Sequence, residues 1–272
     1  MKRATNATNA RMWAAVVIAV ANVLPLALIA KQAFTPEAES LAWPTTWWPE
    51  TWTLEHFRAA GEVVDLAGGL RMSLSVALMT VLATIALTLP AAWLSARSGR
   101  ADRLLDVGVM VARSLPAMAL AVPLGALFVR AGLYNHPSGV GLWLAHVLIG
   151  IPFAFFVLRE AFHSLPRDVE EAAMVDGASP MRVFWSISLP LVRPAIAAAA
   201  LLVFVISWDE FAFALLLQVT NRPLPALVYY FSAFGHPGLA SAVATVMMVP
   251  AVVLVMLLLP ALRSGTLSGS GR

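Results

Sequence analysis

Cysteine is absent from the sequence and charged residues are scarce. Without cysteine the chain can form neither a disulfide nor a thiolate-ligated metal site. Charged residues make up 12% of the 272 positions and hydrophobic residues 60%. This composition lies outside the range of an ordinary soluble domain. The chain also lacks a glycine-rich phosphate loop ending in Lys-Ser or Lys-Thr, the commonest ATP-binding motif. The composition therefore predicts an integral membrane protein without a nucleotide site of that kind.

Six apolar stretches are long enough to cross a hydrocarbon core, which takes about 20 helical residues. They are Met12–Ala30, Met72–Leu94, Val107–Val129, Val140–Leu158, Ala195–Gln218 and Leu239–Leu262. Prolines within these stretches predict kinks, because they free backbone carbonyls that neighbouring helices or water must satisfy; these are Pro25, Pro90, Pro116, Pro123, Pro152 and Pro250. We therefore predict an all-α integral membrane protein with six transmembrane helices.

Lysine and arginine are distributed unequally between the connections of these spans. One set of connections holds twelve of the 18 basic residues and the other holds five, while Arg113 lies within the third span. Basic residues concentrate in cytoplasmic loops, so we expect both termini to be cytoplasmic. They form no single basic patch, so nucleic acid is not a predicted partner. A cleaved signal peptide is the alternative for the first span, but no clean Ala-x-Ala site follows it.

The first outer connection, Gln32–Arg71, contains six acidic residues and four tryptophans, namely Trp43, Trp47, Trp48 and Trp52. Tryptophan rings commonly lie at the level of the lipid headgroups. We therefore interpret this connection as an interfacial lid. A sugar-stacking site is the alternative, and it would require a concave pocket.

The cytoplasmic connection between the fourth and fifth spans has about 35 residues, far more than a helix–helix turn needs. Its capping signals predict two short helices. Ser164 is a candidate N-cap of the first, and Gly177 is placed to end it in a left-handed conformation. Ser179 and Pro180 then cap and open the second helix, which Pro190 and Pro194 are expected to end. Exposed apolar residues on this helix indicate a partner surface.

Glu171-Ala172-Ala173 is followed after three residues by Gly177 and, after nine more, by Ile187-Ser188-Leu189-Pro190. This pattern resembles the EAA signature of type I ABC importer permeases. The resemblance implies that the segment 164–190 is a coupling segment that contacts an ATP-binding subunit. The implied coupling residues are Glu171, Ala172, Ala173, Asp176, Gly177, Leu189 and Pro190.

The resemblance extends over residues 10–269 and is closest to the carbohydrate subfamily, similar to the maltose permease subunit. The stretch ISWDEFAFALLL at 206–217 resembles that subfamily's usual Trp-Asn-Glu-Phe fifth span. The implied substrate-pathway residues are Ser207, Trp208, Asp209 and Glu210. Asp209 stands where the family usually has asparagine, which leaves open a charged or polyol ligand. An ion pair without a ligand role is the alternative.

The family implies a permease subunit that forms half of the transmembrane pathway of an importer for a carbohydrate or polyol. Its implied partners are a second permease subunit, expected as a heterodimer, two ATP-binding subunits, an extracytoplasmic solute-binding protein and membrane lipid. ATP and Mg are expected in the partner ATPase, with no cofactor in this chain. The expected location is the bacterial plasma (inner) membrane. The predicted division is 1–68 for the tail, first span and outer loop, 69–262 for the permease domain, and 263–272 for the cytoplasmic tail.

Other functions remain open from the residues. A permease for a polyamine or a glycerol phosphate would share the EAA segment. A secondary transporter is disfavoured because inverted halves with matching broken helices are not recognisable. An integral-membrane enzyme would need an acid–base set such as Asp209, Glu210 and His236. His146 is interpreted as a satisfied interhelical hydrogen-bond donor rather than a metal ligand, and Arg113 as snorkelling towards the cytoplasm.

Overall fold

The computed structural model describes residues 2–44, 46–97, 107–111, 114 and 116–266, and within these residues it contains helices and no strand. The prediction of an all-α protein is therefore confirmed. The helices are α1 (Lys2–Ala33), α2 (Glu37–Ser40), α3 (Glu55–Val63), α4 (Leu66–Arg97), α5 (Ala117–Ala131), α6 (Val140–His163), α7 (Arg167–Val175), α8 (Pro180–Val183), α9 (Leu189–Leu191), α10 (Arg193–Asp209), α11 (Ala212–Leu217), α12 (Leu224–Ala233) and α13 (Pro237–Thr266), with a π-helical turn, Phe184–Ser188, between α8 and α9. Residues 107–111 are also helical.

Among the described residues, four helical stretches are long and apolar enough to cross a membrane: Met12–Ala33, Leu66–Arg97, Val140–His163 and Pro237–Leu254. A fifth candidate is a helix pair, Pro180–Leu191 and Arg193–Asp209, in which the chain bends by 74° between the two parts. Helix α5 is apolar but has only 15 residues. The chain is therefore a multi-pass membrane protein, and the count of six spans stays a prediction.

Two predicted spans differ from continuous helices. Pro116 has an extended backbone (ψ 135°) and precedes α5, so it does not kink an uninterrupted helix, in keeping with the missing N–H of proline. The predicted span Ala195–Gln218 is broken at Glu210, whose ψ of 115° is extended, and helix resumes at Ala212. Hydropathy does not reveal either break because apolar residues continue on both sides. The predicted role of Arg113 lies outside the described residues.

Two compact units divide the chain, residues 1–67 with 227–248 and residues 68–226 with 249–272. In the first unit, hydrogen bonds tie the segment after α1 together. The Lys31 ammonium donates to the Thr46 carbonyl at 2.7 Å. The Glu39 carboxylate accepts from the Thr46 hydroxyl at 2.8 Å and from the Glu50 amide at 3.0 Å, and these bonds, led by that of Thr46, lower the pKa of Glu39.

The four tryptophans of the predicted lid lie in this first unit, and their rings are all exposed, from 57% for Trp52 to 90% for Trp43. Trp48 and Trp52 meet edge to face, with ring centroids 5.4 Å apart. Exposed indole rings suit a headgroup layer, but they suit a partner protein equally. The interfacial lid therefore stays a prediction.

In the second unit, two buried apolar clusters hold the long helices together. One joins α4, α5, α6 and α11 and includes Met72, Phe128, Leu142, Phe213 and Leu217. The other joins α4, α6, α10 and the π-helical turn and includes Ala92, Phe155, Leu158, Phe162, Phe184 and Val203. Small residues allow this close packing of helices. The second cluster includes Phe184 of the predicted coupling segment, together with Phe162 just before that segment and Val192 just after it.

Candidate functional site

The predicted coupling segment contains two helices that meet at a glycine corner. Gly177 has a φ of +88°, which is the left-handed region that favours glycine. The Ser179 hydroxyl accepts a hydrogen bond from the Arg182 amide at 3.4 Å, and Pro180 occupies the first turn of α8. The left-handed Gly177 and the Ser179 cap are thus confirmed.

One local prediction in this segment is wrong. Ser164 does not cap α7, because it directly follows α6 and its hydroxyl donates to the Ala161 carbonyl at 2.8 Å. Pro166 precedes α7 without a side-chain cap. The helical stretch that begins at Pro180 ends at Leu191, between Pro190 and Pro194, as predicted.

The implied coupling residues lie largely at the surface. Glu171, Ala172, Asp176 and Gly177 are exposed, while Ala173, Leu189 and Pro190 are half-buried. The same surface carries large apolar side chains, with Val175 88%, Met181 65% and Trp185 59% exposed. Apolar side chains grouped in this way mark an interaction surface.

Glu170 is the buried carboxylate of this segment, and sequence analysis missed it beside Glu171. One carboxylate oxygen accepts from Arg97 Nε at 2.6 Å, and the other accepts from Arg97 Nη2 and from the Ser188 hydroxyl, each at 2.6 Å. Arg97 Nη1 donates to the Phe162 carbonyl at 2.8 Å. We call these four residues the Arg97–Glu170 clamp.

The clamp decides the charge state of Glu170. Burial by itself raises the pKa of this carboxyl, but hydrogen bonds from Arg97 and Ser188 and the charge of Arg97 act in the opposite direction. Their sum holds the pKa of Glu170 below its usual value. Glu170 is therefore ionised near neutral pH and forms a bidentate, charge-assisted pair with Arg97.

The π-helical turn brings Ser188 to the clamp. Its first residue, Phe184, is buried against the rings of Trp93 and Phe162, at centroid distances of 5.2 and 6.2 Å. Ser188 is fully buried at the other end of the turn. Single π-helical turns occur frequently at functional sites, and this one aims a hydroxyl at the Glu170 carboxylate.

The implied pathway residues lie at the end of α10 and face in different directions. Ser207 and Trp208 are buried, and the Ser207 hydroxyl lies 2.7 Å from His146 Nδ1 on α6. The interhelical contact predicted for His146 is therefore present, but its other ring nitrogen, Nε2, is buried without a hydrogen-bond partner in the part of the chain that the structure describes. Asp209 is exposed, whereas the Glu210 side chain is only 9% exposed. His236 belongs to the other compact unit.

Glu210 holds the break between α10 and α11. Its two carboxylate oxygens accept from the backbone amides of Ala212 at 3.0 Å and Phe213 at 2.7 Å. It thereby caps two of the amides that lack partners at the start of a helix. His146 Nε2 lies 3.6 Å from this carboxylate, too far for a hydrogen bond. Glu210 is therefore committed to the backbone, and Asp209 is the exposed carboxylate of the break.

Known proteins resemble the chain in both sequence and fold. The family model for the binding-protein-dependent transport system inner membrane component matches residues 84–267. The sulfoquinovosyl glycerol transport system permease of Agrobacterium fabrum is 31% identical over 95% of this chain and 92% of its own length. The trehalose transport system permease of Mycobacterium tuberculosis is 29% identical over 82% of this chain and 83% of its own length.

A solved bacterial ABC transporter that imports the acidic polysaccharide alginate has the same fold, with a TM-score of 0.71 and 17% identity over 95% of this chain and 96% of that chain. The helices and the matches together define a multi-pass transport permease rather than an enzyme. The chain belongs to the family of binding-protein-dependent transport system inner membrane components, and the resemblance to type I ABC importer permeases is confirmed.

Proposed function

We propose that this chain forms half of the transmembrane pathway of an ATP-driven importer for a carbohydrate or polyol. The family supports uptake that depends on a binding protein. The names of the two relatives specify sulfoquinovosyl glycerol and trehalose, and both compounds are rich in hydroxyl groups. Polyamine and glycerol phosphate permeases are the alternatives to be tested beside sugars.

The observation that carries the proposal is the exposed apolar corner around Gly177. In this proposal α7 and α8 seat in a groove of an ATP-binding subunit, with Val175, Met181 and Trp185 covered by that subunit. Glu171 offers a carboxylate to donors there, and the small side chains of Ala172 and Ala173 permit close approach. ATP and Mg bind to the partner subunit, since this chain has no phosphate loop.

The proposed assembly contains this chain, a second permease subunit, two ATP-binding subunits and an extracytoplasmic solute-binding protein. Six spans cross the bacterial plasma membrane with both termini in the cytoplasm, supported by the unequal loop content of lysine and arginine. The permease domain comprises 69–262, between the segment 1–68 and the tail 263–272. The start of α4 at Leu66 supports the first of these boundaries.

Substrate contact is proposed for Asp209, with Ser207, Trp208 and Glu210 supporting the break that presents it. An aspartate at the C-terminal end of a helix opposes the helix dipole, so Asp209 is not placed to stabilise α10. A carboxylate accepts hydrogen bonds from hydroxyl groups, which suits a sugar or a polyol.

The test is uptake and ATP hydrolysis by the complex reconstituted in liposomes with its second permease, ATPase and binding protein. Sugars, polyols, glycerol phosphates and polyamines are compared as ligands for wild type, Gly177→Asp and the control Gly132→Asp. Gly132 is also left-handed, with a φ of +70° and open space around its Cβ position, but it ends α5 outside the coupling segment.

We expect one class of ligand to stimulate hydrolysis, and we expect Gly177→Asp to abolish that stimulation while Gly132→Asp retains most of it. A chain that neither assembles with an ATPase nor changes its turnover would refute the proposal. Uptake driven by a proton gradient without ATP would establish a secondary transporter instead, and turnover of a ligand by the isolated chain would establish an enzyme.

A further inference from the structure

The coupling segment is joined to α4 by an ion pair rather than by packing alone. Arg97 is the last residue of α4, and two of its nitrogens each lie 2.6 Å from a different oxygen of Glu170 on α7. A guanidinium that donates two parallel hydrogen bonds to a carboxylate fixes the relative orientation of the two groups as well as the distance between them. The end of α4 and the start of α7 are therefore held at one relative position and angle.

Burial makes this ion pair costly to open. The side chains of Arg97 and Glu170 are 17% and 6% exposed. Separating them leaves a charged group in a site with little access to water, which is strongly unfavourable. A second, longer contact runs in parallel, from Arg167 Nη2 on α7 to the Ala96 carbonyl on α4 at 3.5 Å.

The same carboxylate also holds the far end of the coupling segment. Ser188, at the end of the π-helical turn, donates a hydrogen bond to Glu170. The Glu170 side chain therefore connects α7, the first helix of the segment, with the π-helical turn near its end. Arg97 additionally binds the Phe162 carbonyl in the last turn of α6, where carbonyls lack donors within the helix and a cation is favourable. Four parts of the chain thus share one buried hydrogen-bond network.

We propose that the Arg97–Glu170 clamp stays closed throughout the transport cycle and makes the coupling segment and the end of α4 move as one body. This inference rests on the proposed function, because it concerns how motion of an ATP-binding subunit reaches the membrane. Arg97 and Glu170 are positioning residues in this proposal. The exposed neighbour Glu171 contacts the ATP-binding subunit, and the buried Glu170 passes the displacement to α4.

The first test measures substrate molecules transported per ATP hydrolysed in the reconstituted complex. Glu170→Gln removes the ion pair with little change in side-chain volume, and Arg97→Lys keeps the positive charge but loses the bidentate hydrogen-bonding geometry. Asp168→Asn is the matched control, because Asp168 is an exposed acid in the first turn of the same helix. A structural defect alone would lower the amount of assembled complex without changing the ratio.

We expect the ratio to fall about 2- to 30-fold in Glu170→Gln, the range found for residues that couple distant sites. Arg97→Lys should fall less, and Asp168→Asn should match wild type. An unchanged ratio in Glu170→Gln would overturn the inference. If wild type itself shows no ATP-dependent uptake, the proposed function fails, which is a distinct result.

The second test does not depend on the stability of Glu170→Gln. The chain contains no cysteine, so the double variant Arg97→Cys with Glu170→Cys carries a unique pair of thiols, to be joined by a short bifunctional thiol reagent in complexes with cysteine-free partners. The covalent link replaces the clamp. We expect it to form both without nucleotide and in the vanadate-trapped state, and to raise uptake above that of the unlinked double variant. A link that abolishes uptake, or that forms in one state only, would show that the clamp opens and would overturn the inference.

Discussion

Gly177→Ala has two expected effects: a loss of stability from an unusual backbone conformation, and a steric clash with the proposed partner subunit. Gly177 has a φ of +88°, and apart from its two chain neighbours no atom of the described residues lies within 4 Å of the position that a Cβ would take. An alanine in the left-handed region costs roughly 1–2 kcal/mol. The isolated permease should therefore lose about that amount of unfolding free energy, with no added steric penalty.

Gly132→Ala is the matched control, since Gly132 has a φ of +70° and is equally open. Thermal unfolding in detergent should give the two variants similar losses of stability. Ligand-stimulated ATP hydrolysis by the complex should separate them, because in the proposed assembly a Cβ at Gly177 meets the ATP-binding subunit and a Cβ at Gly132 does not. Gly177→Asn sharpens the contrast: asparagine tolerates the left-handed region better than alanine but is larger.

We expect Gly177→Asn to be at least as stable as Gly177→Ala and yet to be less active in the complex. If activity follows stability across the three variants, so that Gly177→Ala and Gly132→Ala are equally impaired, backbone strain explains every loss. The argument that Gly177 lies against a partner would then be refuted.

Three further outcomes are expected. Because the pKa of Glu170 is lowered in the folded protein, the clamp stabilises the fold above the usual carboxyl pKa of 4.5, and this contribution is lost as pH falls through the folded value. Thermal unfolding at pH 3.5–7 should therefore show a steeper acid loss in wild type than in Glu170→Gln, and equal slopes would contradict this. Gly141→Ala should destabilise the chain by about 1–3 kcal/mol, because its Cβ would collide with the backbone carbonyl of Leu133; an unchanged melting temperature would count against the packing described. Asp209→Ala, which removes both acceptor oxygens, should raise the KM for uptake about fivefold, the equivalent of a hydrogen bond worth about 1 kcal/mol, and an unaltered KM would remove Asp209 from substrate binding.

Local chemistry explains which features could be predicted from the sequence. The glycine corner follows from Gly177 and from Ser179 with Pro180, because capping depends on neighbouring residues. Ser164 was misassigned for a related reason. Only three residues separate α6 from α7, so the residues that end one helix are also those that precede the next. A serine at such a position is compatible with either role.

The clamp could not be predicted, because 73 residues separate Arg97 from Glu170. A Glu-Glu doublet at the start of a helix indicates favourable interaction with the helix dipole, but it does not tell which glutamate turns inward. The identity of the buried one depends on where α4 ends in space. Glu210 posed the same difficulty, since a carboxylate after a long apolar run resembles a pathway residue until the amides of Ala212 and Phe213 are found against it.

In the proposed six-span arrangement, the break at Glu210 interrupts the fifth span and so sets which groups can surround it. The last turn of α10 ends in carbonyls that have no donor in their own helix, and hydrocarbon supplies none. Glu210 is itself an acceptor and satisfies only amides, so these carbonyls need donors from other protein groups or from water. In that arrangement the region around the exposed Asp209 faces protein groups or water rather than lipid tails. Such a hydrated, protein-lined space would give a polar solute hydrogen-bonding partners as it leaves bulk water.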